Sequence, residues 1–433
     1  MTKRRIGTCA LALLSASVVA RSVPAEAQEE KKDVTWSLSG EARYRPEWRE
    51  NTDLDSTRED QTRQGYMRLR LGVSILYKED YRVFVQVQDA RVAGEETSTG
   101  SNDKNLDLHQ GYLEMKHLAG DRWNLIVGRQ EWKYGDERLI GASWWSNVGR
   151  SFDGVKVRFA GHSYWIDGIA ARIQTRPGPF GSPPVPATTG SDLFGLYGQC
   201  FARKGAEYEA YWLQYDDHVA KVGETGALGD SAIRAYGVRG KDHFGPVDVT
   251  VEGTLERGTL FGDDLRAGAA AAVAGYTIGS RAKIRLFGGY DYATGDRNPT
   301  DGKQEEFFNF FPTNHALYGY IDYQGWRNLR GPWGAVGLTA GRHYAQVKYH
   351  RFQLDQARDS WKDEAGVTVL GSDPTGQSGT SLGRELDLTW RFAWKEKTSF
   401  EAGYARFMPD RFARLTRGDD ASDWAYVMLT ATF

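Results

Sequence analysis

Apolar and polar residues alternate one for one along much of this chain. In Met67-Arg68-Leu69-Arg70-Leu71-Gly72-Val73-Ser74-Ile75 the apolar side chains hold the odd positions, while Arg68, Arg70 and Ser74 hold even ones. A strand sends successive side chains to opposite faces, so each such segment has one greasy and one wet face. The last segment, 425–433, repeats the pattern with Thr430 and Thr432 on the polar side. Alternation predicts strands over 35–48, 64–77, 81–92, 105–118, 122–133, 149–160, 163–175, 192–203 and 205–218. It continues over 230–242, 245–258, 264–278, 281–295, 325–339, 342–358, 382–395, 398–408 and 423–433. That makes eighteen, with sixteen the alternative, and ends uncertain by about two to four residues.

The connections sort themselves. Those at 49–63, 93–104, 133–149, 176–191, 219–230, 296–324, 359–381 and 409–422 are long, and 259–263 is intermediate. Those at 78–80, 119–121, 161–162, 204, 242–244, 279–280, 340–341 and 396–397 are short. Long and short alternate, so the long ones gather at one end of the sheet. A sandwich has no cause to sort its loops this way. The expected fold is all-β, a transmembrane antiparallel β-barrel with short periplasmic turns and long extracellular loops. Pro177, Pro179, Pro183, Pro184 and Pro186 mark 176–191 as a loop, because proline cannot donate to a ladder.

The N-terminus suits that destination. Lys3, Arg4 and Arg5 precede a short apolar stretch, and Ala25-Glu26-Ala27 fits a small-x-small cleavage site, so 1–27 reads as a signal peptide and 28–433 as the barrel. Cleavage would remove Lys3, Arg4, Arg5, Arg21 and Glu26, leaving 51 basic and 56 acidic residues, a formal net charge of −5. Nothing in that balance suggests a nucleic-acid partner. Cys9 lies in the leader, so only Cys200 remains, and neither an internal disulfide nor a Cys-rich metal site is expected. The expected location is the bacterial outer membrane, as a monomer among outer-membrane lipid and lipopolysaccharide. An aromatic last residue, Phe433, resembles the signal read by the barrel-assembly machinery.

Sixteen to eighteen strands can enclose an aqueous lumen, so the wet face carries the selectivity. Parity turns Arg43, Arg45, Arg68, Arg70, Lys156, Arg158 and Lys348 inward. Rings of arginine and lysine favour anions. Glu41, Glu114, Glu385, Asp387 and Glu401 share that face, and facing Arg–carboxylate pairs can equally serve to brace the wall. The histidines are scattered and fall in no Gly-x-Ser-x-Gly or His-Glu-x-x-His motif, so no catalytic residue, cofactor or metal is expected. Tyr292, Phe307, Phe308, Phe310 and Phe311 could stack sugars or pack a loop into the barrel mouth.

Two blocks carry a more specific likeness. Gly128-Arg129-Gln130-Glu131, Tyr134-Gly135-Asp136, Arg138-Leu139-Ile140-Gly141, Trp145, Asn147 and Gly149-Arg150-Ser151-Phe152-Asp153-Gly154 form the first. Ala293-Thr294-Gly295-Asp296, Asn298-Pro299-Thr300-Asp301-Gly302 and Phe311-Pro312-Thr313 with His315 form the second. Together with Glu385-Leu386-Asp387-Leu388 and the final strand they resemble the alginate export family. The resemblance implies eighteen strands, an electropositive constriction and outward passage of an anionic polyuronate. It also implies that Arg129 and Arg150 stand in the constriction, with Asp136, Arg138 and Asp153 beside them. An uptake porin for small anions, organic acids or oligouronides remains the alternative, and an outer-membrane barrel enzyme is a third reading.

Overall fold

The computed structural model describes residues 33–95, 106–174 and 190–433. The expected signal peptide, most of the connection at 93–104 and the prolines of 176–191 lie outside these residues. Eighteen strands form the wall: β1 (Val34–Glu50), β2 (Thr62–Tyr77), β3 (Tyr81–Val92), β4 (Leu106–His117), β5 (Trp123–Gln130), β6 (Phe152–Ala160), β7 (Tyr164–Gln174), β8 (Ser191–Arg203) and β9 (Ala206–Val222). The other half comprises β10 (Leu228–Phe244), β11 (Val247–Leu260), β12 (Asp263–Ile278), β13 (Ala282–Ala293), β14 (Leu329–Ala340), β15 (His343–Gln353), β16 (Ser381–Lys395), β17 (Thr398–Pro409) and β18 (Ser422–Thr432). Each pairs antiparallel with the next, and β18 returns to β1 with Leu429 opposite Tyr44. Closure leaves no free edge, the condition for putting backbone amides into lipid.

The alternation of the sequence becomes the two faces of the wall. Leu69, Leu71, Val73 and Ile75 are exposed on the outside, whereas Arg68 and Arg70 of the same strand are buried within. Tyr77, Tyr81, Trp123 and Tyr164 stand at the periplasmic ends, where amphipathic rings suit the lipid–water boundary.

Two connections are shorter than expected. β9 and β10 run on past 219–230, with Leu228 opposite Val222, and leave only 223–227 between them. At the tip of β11 and β12, Phe261 (φ 55°) and Gly262 (φ 92°) are both left-handed, the signature of a two-residue type I′ hairpin.

The interior is not hollow. Trp132, Leu139, Ile140 and Trp145 from 131–151, Phe307, Tyr318 and Trp326 from 294–328, and Trp361 from 354–380 are buried with inward wall residues such as Leu193, Leu213 and Ile233. Three long loops thus turn into the barrel and build its core. Phe307 packs on Trp326, and Phe308 stacks on Tyr215 of the wall. Phe307, Phe308, Phe310 and Phe311 therefore pack a loop against the barrel.

Candidate pore constriction

Four arginines of β1 and β2 project from adjacent inward positions and grip the segment 144–148 by its backbone. Arg43 donates to the carbonyls of Trp144 (2.8 Å) and Ser146 (3.0 Å), and Arg45 to that of Trp145 (2.5 Å). Arg68 reaches Ser146 (3.0 Å) and Arg70 reaches Val148 (3.0 Å). Asn147 answers by donating to the carbonyls of Met67 and Arg91. Hydrogen bonds from a charged donor are worth about 1.5–3 kcal/mol each, so the clamp is strong. Arg45 also lies 3.9 Å over the ring of Trp145, which stacks on His315.

The opposite side has its own anchors. Arg138 is buried against Asp291 (3.0 Å), Glu252 (3.7 Å) and the Tyr318 hydroxyl. Arg239 of β10 holds Asp136 at 2.6 Å and Glu209 at 3.1 Å. Lys348 donates to the carbonyls of Ala316 (3.3 Å) and Leu317 (3.1 Å). Arg239 was not among the sequence-derived candidates, although Tyr236 and Val238, both exposed on the same strand, set the parity that turns it inward.

Where the loops meet, a polar cavity of about 160 Å³ remains, lined among others by Arg150, His315, Asp322 and Glu364. Arg150 donates to the carbonyls of Gly141 (3.1 Å), Phe311 (2.5 Å) and Pro312 (2.8 Å) and has no ion-pair partner among the described residues. Burial lowers its pKa from the ordinary value, against the pull of Glu364 and Glu137. Burial, with Asp322 and Asp363 nearby, pushes the Glu364 carboxyl up to about 7.

The other candidates separate. Arg158 forms a two-pronged pair with Asp167 (2.6 and 2.8 Å) on the lumen face, beside a Lys156 that has no ion-pair partner among the described residues. Arg129 and Asp153 do not stand in the constriction. They alternate with the buried Gln130 and Phe152, and no register shift interrupts β5 between its neighbours, so both lie on the outer face, paired at 2.7 Å. The left-handed φ of Gly128 (127°) is accommodated within regular pairing and does not reverse the parity.

A family model described as alginate export matches residues 34–426. No curated protein is significantly similar to the chain. Among solved structures, Pseudomonas aeruginosa OccK11 (OpdR) is 10% identical with a TM-score of 0.58, covering 92% of this chain and 96% of its own. OccD3 (OpdP) of the same organism is 13% identical at 0.58, with coverages of 92% and 91%. OccK9 (OpdG), also from that organism, is 11% identical at 0.60, with coverages of 92% and 98%. At such identities the likeness is one of fold.

Proposed function

The chain belongs to the alginate export family, and from that premise we propose that this outer-membrane channel passes an anionic, alginate-like polyuronate along a path lined by basic side chains. One observation carries the reading: among the described residues Arg43, Arg150, Lys156 and Lys348 face inward with no carboxylate at ion-pair distance, so these four positions offer cationic groups to a passing anion, although buried acids such as Glu256 and Glu385 likewise lack a basic partner. A polyuronate offers one carboxylate per sugar, which suits a row of weak cationic sites better than one tight site. Arg150 and Lys156 are the residues assigned to the path. Arg43, Arg45, Arg68, Arg70, Arg138 and Lys348 shape it by fixing the loops, and Arg158 is largely spent on Asp167.

Reversal potentials in planar bilayers under a KCl gradient test the charge preference. The wild-type pore should favour chloride, and oligouronates should block it. Arg150→Glu with Lys156→Glu should shift the potential toward potassium, whereas Arg129→Gln, on the outer face, should leave it unchanged. A wild-type pore that prefers potassium, or one that uronates fail to block, would end the anionic reading. Uptake of small anions is the second reading, favoured by the three loops that fill the lumen. Under it, short uronates should permeate while long ones are excluded.

A further inference from the structure

The outer wall carries a row of arginines beside an apolar groove. Across β10, β11 and β12, Arg234 stands opposite Arg257, and Arg257 opposite Arg266. All three are exposed and share the outward parity of Tyr236, Val238 and Leu255. Like charges placed directly opposite on neighbouring strands repel, so a row of three is unfavourable unless an anion lies over it. The protein supplies little of that anion. Arg266 reaches Asp264 at 2.9 Å with both side chains well exposed, Arg257 donates to the carbonyls of Glu256 and Ala267, and Arg234 has no partner among the described residues.

Immediately on the membrane side, the surface is scooped out. In register, Val238 faces Gly253, Gly253 faces Ala270, and Ala270 faces Tyr292. Two tall side chains thus flank a floor of glycine and alanine, extended by Gly268. The groove has a volume of about 780 Å³, and Arg257 and Arg266 help line it. A Cβ added at Gly253 would meet nothing within 4 Å, so tight backbone packing does not account for this glycine.

Depth fixes where the row sits. From Gly268 to Ile278 every outward residue of β12 is apolar: Gly268, Ala270, Ala272, Ala274, Tyr276 and Ile278. Ten residue steps at roughly 3.3 Å and a tilt of about 40° span about 25 Å, the height of a barrel's apolar band. Arg266 is the next outward residue above it, on the extracellular side, level with the headgroups of the outer leaflet.

We propose that this face binds the phosphorylated glycolipid of the outer leaflet, lipopolysaccharide, with an acyl chain in the groove and a lipid A phosphate on the arginine row. Guanidinium groups grip phosphate oxygens in pairs and keep their charge at any physiological pH. The site is independent of what the pore carries. The full barrel in detergent, titrated in native mass spectrometry with bis-phosphorylated and with dephosphorylated lipid A, tests it. The phosphorylated form should be preferred by about tenfold, or about 1.4 kcal/mol. R234Q/R257Q/R266Q should abolish that preference, and Gly253→Leu should weaken both forms by filling the floor. Conductance should be unchanged in both variants, which separates this site from the pore. Equal affinity for the two lipids in the wild type, a preference that survives the triple substitution, or binding indifferent to Gly253→Leu would each overturn the proposal.

Discussion

Arg150 shows how much a single guanidinium can be asked to do in this barrel. Its hydrogen bonds to three carbonyls fix the meeting point of two loops, yet among the described residues no carboxylate pairs with it directly. Glu364 lines the same cavity and titrates near physiological pH, its carboxyl pushed up to about 7. Because that value lies above the ordinary one for a carboxylate, its contribution to loop packing is fullest in acid and is lost as pH rises through about 7. The same ionisation places a negative charge beside Arg150. Anion preference should therefore fall between about pH 6 and about pH 8, and Glu364→Gln should flatten the profile in reversal-potential measurements. Of this site, strand parity made the inward turn of Arg43, Arg45, Arg68, Arg70 and Lys348 readable in the sequence, because side-chain direction in a strand is local. Glu364 was not readable, since its neighbours come from loops far apart in the chain. Arg129 was misjudged because a motif fixes which residues occur together and not which face of the wall they occupy.

At the level of elements, the loop 131–151 is held by side chains of strands that precede it by up to about a hundred positions. Arg43→Ala with Arg68→Ala removes several charged hydrogen bonds to 144–148, worth about 1.5–3 kcal/mol each, while leaving the wall's backbone ladder intact. The expected outcome is larger, noisier single-channel conductance with unchanged heat-modifiable migration. Trp326→Ala should act similarly from the other side, by opening a cavity that costs about 3–5 kcal/mol in the packed loop. Strands were legible because lipid on one side and a polar interior on the other impose a period of two. The inward fold of the loops was not, because it depends on contacts such as Trp145 on His315 that no local pattern announces. The hairpin at Phe261-Gly262 also escaped notice, since only one of its two left-handed residues is a glycine.

The molecule as a whole is a wall closed by its last strand. Phe433 and Gly40 exchange backbone hydrogen bonds at 3.1 Å, and a Cβ at Gly40 would fall 2.1 Å from the Phe433 ring. Gly40→Leu should therefore disturb closure, and deletion of Phe433 should lower the yield of assembled barrel in outer-membrane fractions, read by heat-modifiable migration. Mass spectrometry of the purified protein should find an N-terminus at Gln28. The arginine clamp has a consequence of a different kind. It grips the loop largely by peptide carbonyls, which every residue carries, and of the side chains at 144–148 it engages chiefly Trp145 and Asn147. The exposed Trp144 and Val148 are consequently free to change in descent without loosening the mount. A wall that holds a loop mostly by its backbone can carry different linings at the remaining positions, so relatives with the same frame can diverge in cargo by exchanging a few loop residues.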